Sequence, residues 1–145
     1  MLDEPVDERG DLVTMGRQVG ARDPVVAGLS AAKLIGEVAG IDRFRSRHAF
    51  ARHNGTAPTP VWSSNSERHR LSKTGNRQLN AATHRIALTQ ARSLPAARAY
   101  LEKREAAGAT RKEALRCLKR RISDVIFRAM LADAATTAHV NSLVA

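Results

Sequence analysis

The chain has 145 residues, with 24 Lys and Arg against 14 Asp and Glu for a formal charge of +10, one cysteine and only 3% aromatic residues. That length allows one domain with its own core, the charge points to polyanionic partners, and a single cysteine, Cys117, excludes an internal disulfide and fits a reducing compartment, read as the cytoplasm. No apolar run approaches the roughly 20 residues needed to cross a bilayer, and the N-terminus is acidic where a secretory signal is basic, so no membrane association is expected.

Charge is unevenly placed. Residues 1–24 hold 3 Arg against 6 acids, whereas Arg68 to Arg121 holds 15 Arg and Lys against 3 Glu, so the half expected to face a polyanion is the second. The first 24 residues carry few apolar groups among acids and glycines and read as a poorly ordered acidic leader. Apolar spacing then begins. Leu29, Ala32, Leu34, Ile35, Val38 and Ala39 form a helical stripe, with Ser30 as candidate N-cap and Gly40 as the stop. A second helix is expected from the cap Ser46 through Ala49 and Phe50 to the Asn54-Gly55 break.

The stretch from Gly55 to Thr74 contains Pro58, Pro60 and a group of serines, which disfavours helix and leaves an extended loop or a short strand pair. Helical pattern returns at Asn76 and runs to about Arg92, with Leu79, Ala82, Ile86 and Ala87 on one side. Pro95 starts a further helix to about Ala107. Thr110 to Glu113 is a capping box, followed by Leu115, Leu118, Ile122, Val125, Ile126 and Met130 at three- and four-residue steps. The residues after Asp133 are small and are expected to fray. The fold class is therefore mainly α: a compact helical domain over residues 25–134 with one extended Pro/Ser/Arg-rich loop, and a frayed tail over 135–145.

That loop is the candidate site. In VWSSNSERHRLSKTGNRQLN, the hydroxyls of Ser63, Ser64 and Ser66 precede Arg68, His69, Arg70, Lys73 and Arg77. Hydroxyls attack phosphorus or hydrogen-bond phosphate oxygens, and guanidinium groups hold a phosphodiester while its charge rearranges, so the pattern points to nucleic-acid chemistry. Ser63 is the nucleophile candidate and Ser64 the fallback. His69 is open between proton acceptor, phosphate contact and plain surface residue. The pairs Arg111-Lys112 and the run Lys119-Arg120-Arg121 read equally well as solvated helix faces.

Metal ligation within the chain is not expected. The histidines at 48, 53, 69, 84 and 139 never fall four apart, Glu67 is the only carboxylate between Asp42 and Glu102, and Cys117 sits in an apolar helix pattern that reads as core.

The order AAKLIGEVAGIDRF, then FARHNGTAPTPVWSSNSERHRLSKTGNRQLNAATHRIALTQ, then KEALRCLKRRISDVIFRAML resembles the C-terminal domain of insertion-sequence transposases of the IS-one-ten type, from about Val25 to Ala134. The resemblance implies a mainly helical domain whose serine attacks the scissile phosphate, partnered by an N-terminal RuvC-like domain with four acids that bind magnesium. It also implies DNA as substrate, a structured guide RNA, and oligomeric assembly with full-length transposase subunits. Carried over, the nucleophile falls on Ser63 and the basic residues on Arg68, Arg70, Lys73 and Arg77. Ser64 stands where the family commonly has glycine, and Val25-Val26-Ala27-Gly28 stands where it has a glycine-rich turn. Residues 1–24 are too short for a RuvC-like domain, so the expectation is a truncated copy that binds no cofactor of its own and does not recombine DNA unaided. The alternative is a non-catalytic, nucleic-acid-binding or regulatory partner of intact transposase subunits.

Overall fold

A computed structural model describes residues 24–63, 66–71 and 74–144, and side chains within these except at 24–29 and 59–71. The acidic leader lies outside the described residues. Helix α1 spans Pro24–Val38, a single 3-10 turn spans Ile41–Arg43, and α2 spans Arg47–His53. Strands β1 (Pro58–Ser63) and β2 (Ser66–Leu71) follow, then α3 (Arg77–Ser93), α4 (Pro95–Ala106) and α5 (Arg111–Val144). The fold is mainly α, and the segment left open between loop and strand pair is an antiparallel two-stranded ribbon.

Most element ends follow local chemistry. Ser46 accepts the Ala49 N–H at 3.2 Å and starts α2. The capping box at the start of α5 is formed in both directions: Thr110 N–H donates to Glu113 Oε2 at 2.8 Å, and Glu113 N–H donates to Thr110 Oγ1 at 3.3 Å. Gly40 ends the α1 region with φ of 101°, a conformation that a side chain resists. Three expectations need correction. Helix α1 starts at Pro24, whose missing N–H costs nothing in a first turn, so Ser30 lies inside the helix and is not its cap. Ile35, placed on the buried stripe, is 63% exposed. The last helix does not stop near Asp133 but continues to Val144, although its final residues are exposed.

Helices α3, α4 and α5 enclose one half of the core through Ala87, Leu94, Ala97, Leu101, Ala114, Leu118 and Ile122. The other half joins α1, α2 and the 3-10 turn to α3 and α5 through Leu34, Val38, Ile41, Phe50, Leu79, Ala82 and Phe127. Phe50 stacks on Phe127 at 5.8 Å and meets Phe44 edge-on at 5.3 Å, which fixes α2 against the middle of α5. The ribbon leaves the domain at the junction of α2, α3 and α5, so this packing sets its root.

Candidate nucleic-acid interface

Prolines at 58 and 60 are two residues apart, so both missing N–H groups fall on the same edge of β1. That edge cannot pair, and β2 must bind the edge of Thr59, Val61 and Ser63. The observed register matches: Thr59 opposes Arg70, Val61 opposes Arg68, Trp62 opposes Glu67 and Ser63 opposes Ser66. Residues directly opposite share a face and neighbours along a strand alternate. Ser63, Ser66, Arg68 and Arg70 therefore occupy positions on one face of the ribbon, and Trp62, Glu67 and His69 occupy the other. Ser63 is the last residue of β1, at the ribbon's far end. Ser64 and Lys73 lie outside the described residues. Arg77, the first residue of α3, is exposed.

The ribbon's root is a closed polar network. Buried Asn54 donates its side-chain amide to Ser123 Oγ on α5 at 2.7 Å, and its Oδ1 accepts from Thr56 N–H at 3.1 Å and from Thr56 Oγ1 at 2.7 Å. Thr56 and Ala57 also donate their backbone N–H to Ala51 O at 2.9 and 3.1 Å. On the returning side, Asn76 N–H donates to His53 O at 2.6 Å, while Asn76 Oδ1 caps α3 by accepting from the Gln78 and Leu79 N–H groups. Its amide nitrogen donates to Glu37 Oε2 on α1 at 2.9 Å. Gly55 and Gly75 meet backbone to backbone: a Cβ on Gly75 would lie 2.5 Å from Gly55 N and 2.9 Å from His53 O. The two ends of the ribbon segment are thus fastened to each other and to the helices.

Lys119 stands beside this root. It belongs to a run that reads as a solvated face, yet it is only 5% exposed, and its ammonium donates to Asn80 Oδ1 on α3. The Asn80 amide reaches the Gly55 carbonyl at 3.5 Å. Burial first, and then the Arg116 charge, push the Lys119 ammonium below the usual lysine range. His84, one turn beyond Asn80, is lowered by burial and then by Lys119. The signal was present in the sequence: position 119 is four after Leu115 and three before Ile122, on the edge of the core stripe.

Two groups stand out among the other cations. Arg120 pairs with Asp124 and contacts His48 Nδ1 at 3.1 Å, Arg121 covers the Tyr100 ring at 4.3 Å, Arg111 pairs with Glu105 at 3.2 Å, and Arg43 lies over Phe44 at 4.6 Å. These are engaged within the fold. Arg77, Arg85 and Arg92 are exposed on α3, a helix without a single acid, and have no ion-pair partner among the described residues. Cys117, read as core, is half-buried, with its sulfur 3.4 Å from Arg104 Nη2. Among the described residues, no group of three His, Cys, Asp or Glu side chains is placed to hold a metal ion, and no helix is long and apolar enough to cross a membrane.

No curated protein matches the chain. The model of the Transposase IS116/IS110/IS902 family matches residues 22–102, more than half of the chain, from the start of α1 through the ribbon into α4. On that match the chain belongs to the Transposase IS116/IS110/IS902 family, and its function is tied to transposition and to DNA.

Proposed function

We propose that this domain holds DNA across the serine- and arginine-bearing face of its ribbon and presents Ser63 as the nucleophile toward a backbone phosphate. The observation that carries the reading is the β1–β2 register, which places Ser63, Arg68 and Arg70 on a common face. Attack by a serine on phosphorus forms a serine–phosphate ester as one bridging P–O bond of the strand breaks and the departing oxygen takes up a proton. The serine proton must be removed and the growing negative charge on the phosphoryl oxygens balanced, and arginines two positions apart on a strand suit the last task. His69 falls on the opposite face, so no proton-acceptor role is assigned to it; it remains a candidate phosphate contact with Lys73 and Arg77. The exposed arginines of α3 extend the positive surface away from the root.

The family's chemistry implies magnesium, but the described residues hold no carboxylate cluster that fits it, so no step is derived through a metal. In this reading the acidic ligands come from a RuvC-like domain, and the complete assembly includes transposase subunits and a structured guide RNA in the cytoplasm. The test combines binding and cleavage. Arg68→Ala with Arg70→Ala should weaken binding of a DNA duplex by tenfold or more, whereas Ser63→Ala should leave binding unchanged and abolish strand cleavage by the assembly supplied with magnesium. Ser63→Ala cleaving at the wild-type rate refutes the nucleophile, and cleavage shifted to dependence on Ser64 moves it by one residue. Specific cleavage by the isolated chain would refute the need for outside carboxylates.

A second reading, a non-catalytic partner of intact subunits, is favoured by the end of α5, where Leu131, Val140, Leu143 and Val144 are exposed. Co-purification with an intact transposase, lost on deletion of residues 131–144, would support it; absence of any association counts against it.

A further inference from the structure

The root of the ribbon contains a charged group that the proposed serine chemistry does not use. Lys119 is 95% covered, and an ammonium has three N–H donors. Among the described residues its one acceptor is the neutral Asn80 Oδ1, in a part-buried position, and no carboxylate pairs with it. A desolvated cation without a counter-charge is unfavourable, and natural interiors ordinarily provide an acid at such a place. Here the neighbours repeat the same sign. Arg116 is one helical turn before Lys119 on α5, and His84 is one turn after Asn80 on α3, both half-buried. Burial first, and then a neighbouring positive charge, Arg116 for Lys119 and Lys119 for His84, holds both groups below their ordinary values. Glu37, an acid that reaches the root, is engaged by Asn76.

We propose that the seam between α3 and α5 at the ribbon root, centred on Lys119 and lined by Asn80, His84 and Arg116, is a phosphate-binding site. It takes one backbone phosphate of the nucleic acid that lies along the ribbon, and so rests on the function proposed above. The bound phosphate supplies the missing counter-charge, accepts from the unused ammonium N–H groups and is reached also by the Asn80 amide. The site would set where along the strand the Ser63 face comes to rest, because Asn80 reaches the carbonyl of Gly55, three residues before β1 begins.

Two substitutions in the full chain decide it. Asn80→Asp places a carboxylate against Lys119 and satisfies it internally: the melting temperature should rise, yet binding of a 20-base-pair duplex should weaken about tenfold. The slope of log affinity against log salt should become shallower by about 0.9, the value of one phosphate contact. Lys119→Met should lose the same increment of slope, and because this variant risks misfolding, Asn80→Asp is the deciding one. Inorganic phosphate should raise the melting temperature of the wild type and not of Asn80→Asp. An Asn80→Asp protein that is stabilised but binds duplex with wild-type affinity and slope overturns the site and leaves a purely structural lysine. Duplex binding lost in the Arg68/Arg70 variant but not in Asn80→Asp leaves the function standing while this inference falls. A wild type that binds no duplex overturns the function, and the phosphate melt then decides the site alone.

Discussion

Replacing Gly75 by alanine tests whether the ribbon root is as tightly closed as described. The added Cβ would lie 2.5 Å from Gly55 N, 2.7 Å from Gly55 Cα and 2.9 Å from His53 O, all backbone atoms that cannot rotate aside. Reaching ordinary contact requires moving the segments apart by about 0.5 to 0.9 Å. Overpacking of this kind costs roughly 1–3 kcal/mol. The displacement also lengthens the Asn76 N–H bond to His53 O from 2.6 Å toward about 3.1–3.5 Å, and weakening it adds up to about 1 kcal/mol. Gly75 does not have positive φ, so the cost is one of space and not of backbone conformation. At this chain length about 1–4 kcal/mol corresponds to a fall of roughly 4–15 °C in melting temperature. Circular dichroism melts measure it, with Gly36→Ala as the internal control. Gly36 lies in α1 with nothing within 4 Å of a built Cβ, so alanine there should stabilise by about 0.4–1 kcal/mol. Equal and small effects at the two positions would refute the close approach of Gly55 and Gly75.

Asn54→Ala should cost about 2–4 kcal/mol in a denaturant titration, because it orphans buried Ser123 and Thr56 together, while Ser123→Ala should cost less, since only one bond is lost. Thr110→Ala removes half of the capping box and should lower stability by about 1 kcal/mol, with Glu113→Ala non-additive with it in a double-mutant cycle. His53 and His84 are both lowered, by burial first and then by Arg43 and Lys119 respectively. Below their ordinary value of about 6.5 the unfolded chain takes up protons that the folded chain resists, so stability should fall as pH drops from 7.5 to 5.5. His84→Gln should flatten that decline in melts across the range.

The elements themselves are legible because their boundaries are written in short-range chemistry. Ser46, Asn76, Pro95 and the Thr110-Glu113 pair each satisfy or omit backbone donors within a turn, and such signals need no knowledge of the rest of the chain. The start of α1 is not legible locally because a serine inside a helix and a serine at its cap look alike, and Pro24 is the stronger starter. Continuation of α5 past Asp133 is hidden in the sequence because alanine-rich residues give helix propensity without an amphipathic stripe to announce it.

Sequence alone determined that this is a mainly helical, strongly basic chain with hydroxyls and cations gathered in one proline-bearing segment, since composition, caps and helical spacing are local properties. Whether that segment was loop or ribbon depended on the pairing of residues up to thirteen positions apart, and with it the division that sets Ser63, Arg68 and Arg70 apart from His69. The covering of Lys119 needed α2, α3 and α5 to converge on the ribbon root, a long-range arrangement in which one lysine of a basic run meets an asparagine 39 positions earlier in the chain. Charge is countable along a chain, and spacing puts position 119 at the edge of the core stripe, but the degree of desolvation belongs to the packed structure, which covers that lysine while leaving Arg120 and Arg121 partly exposed.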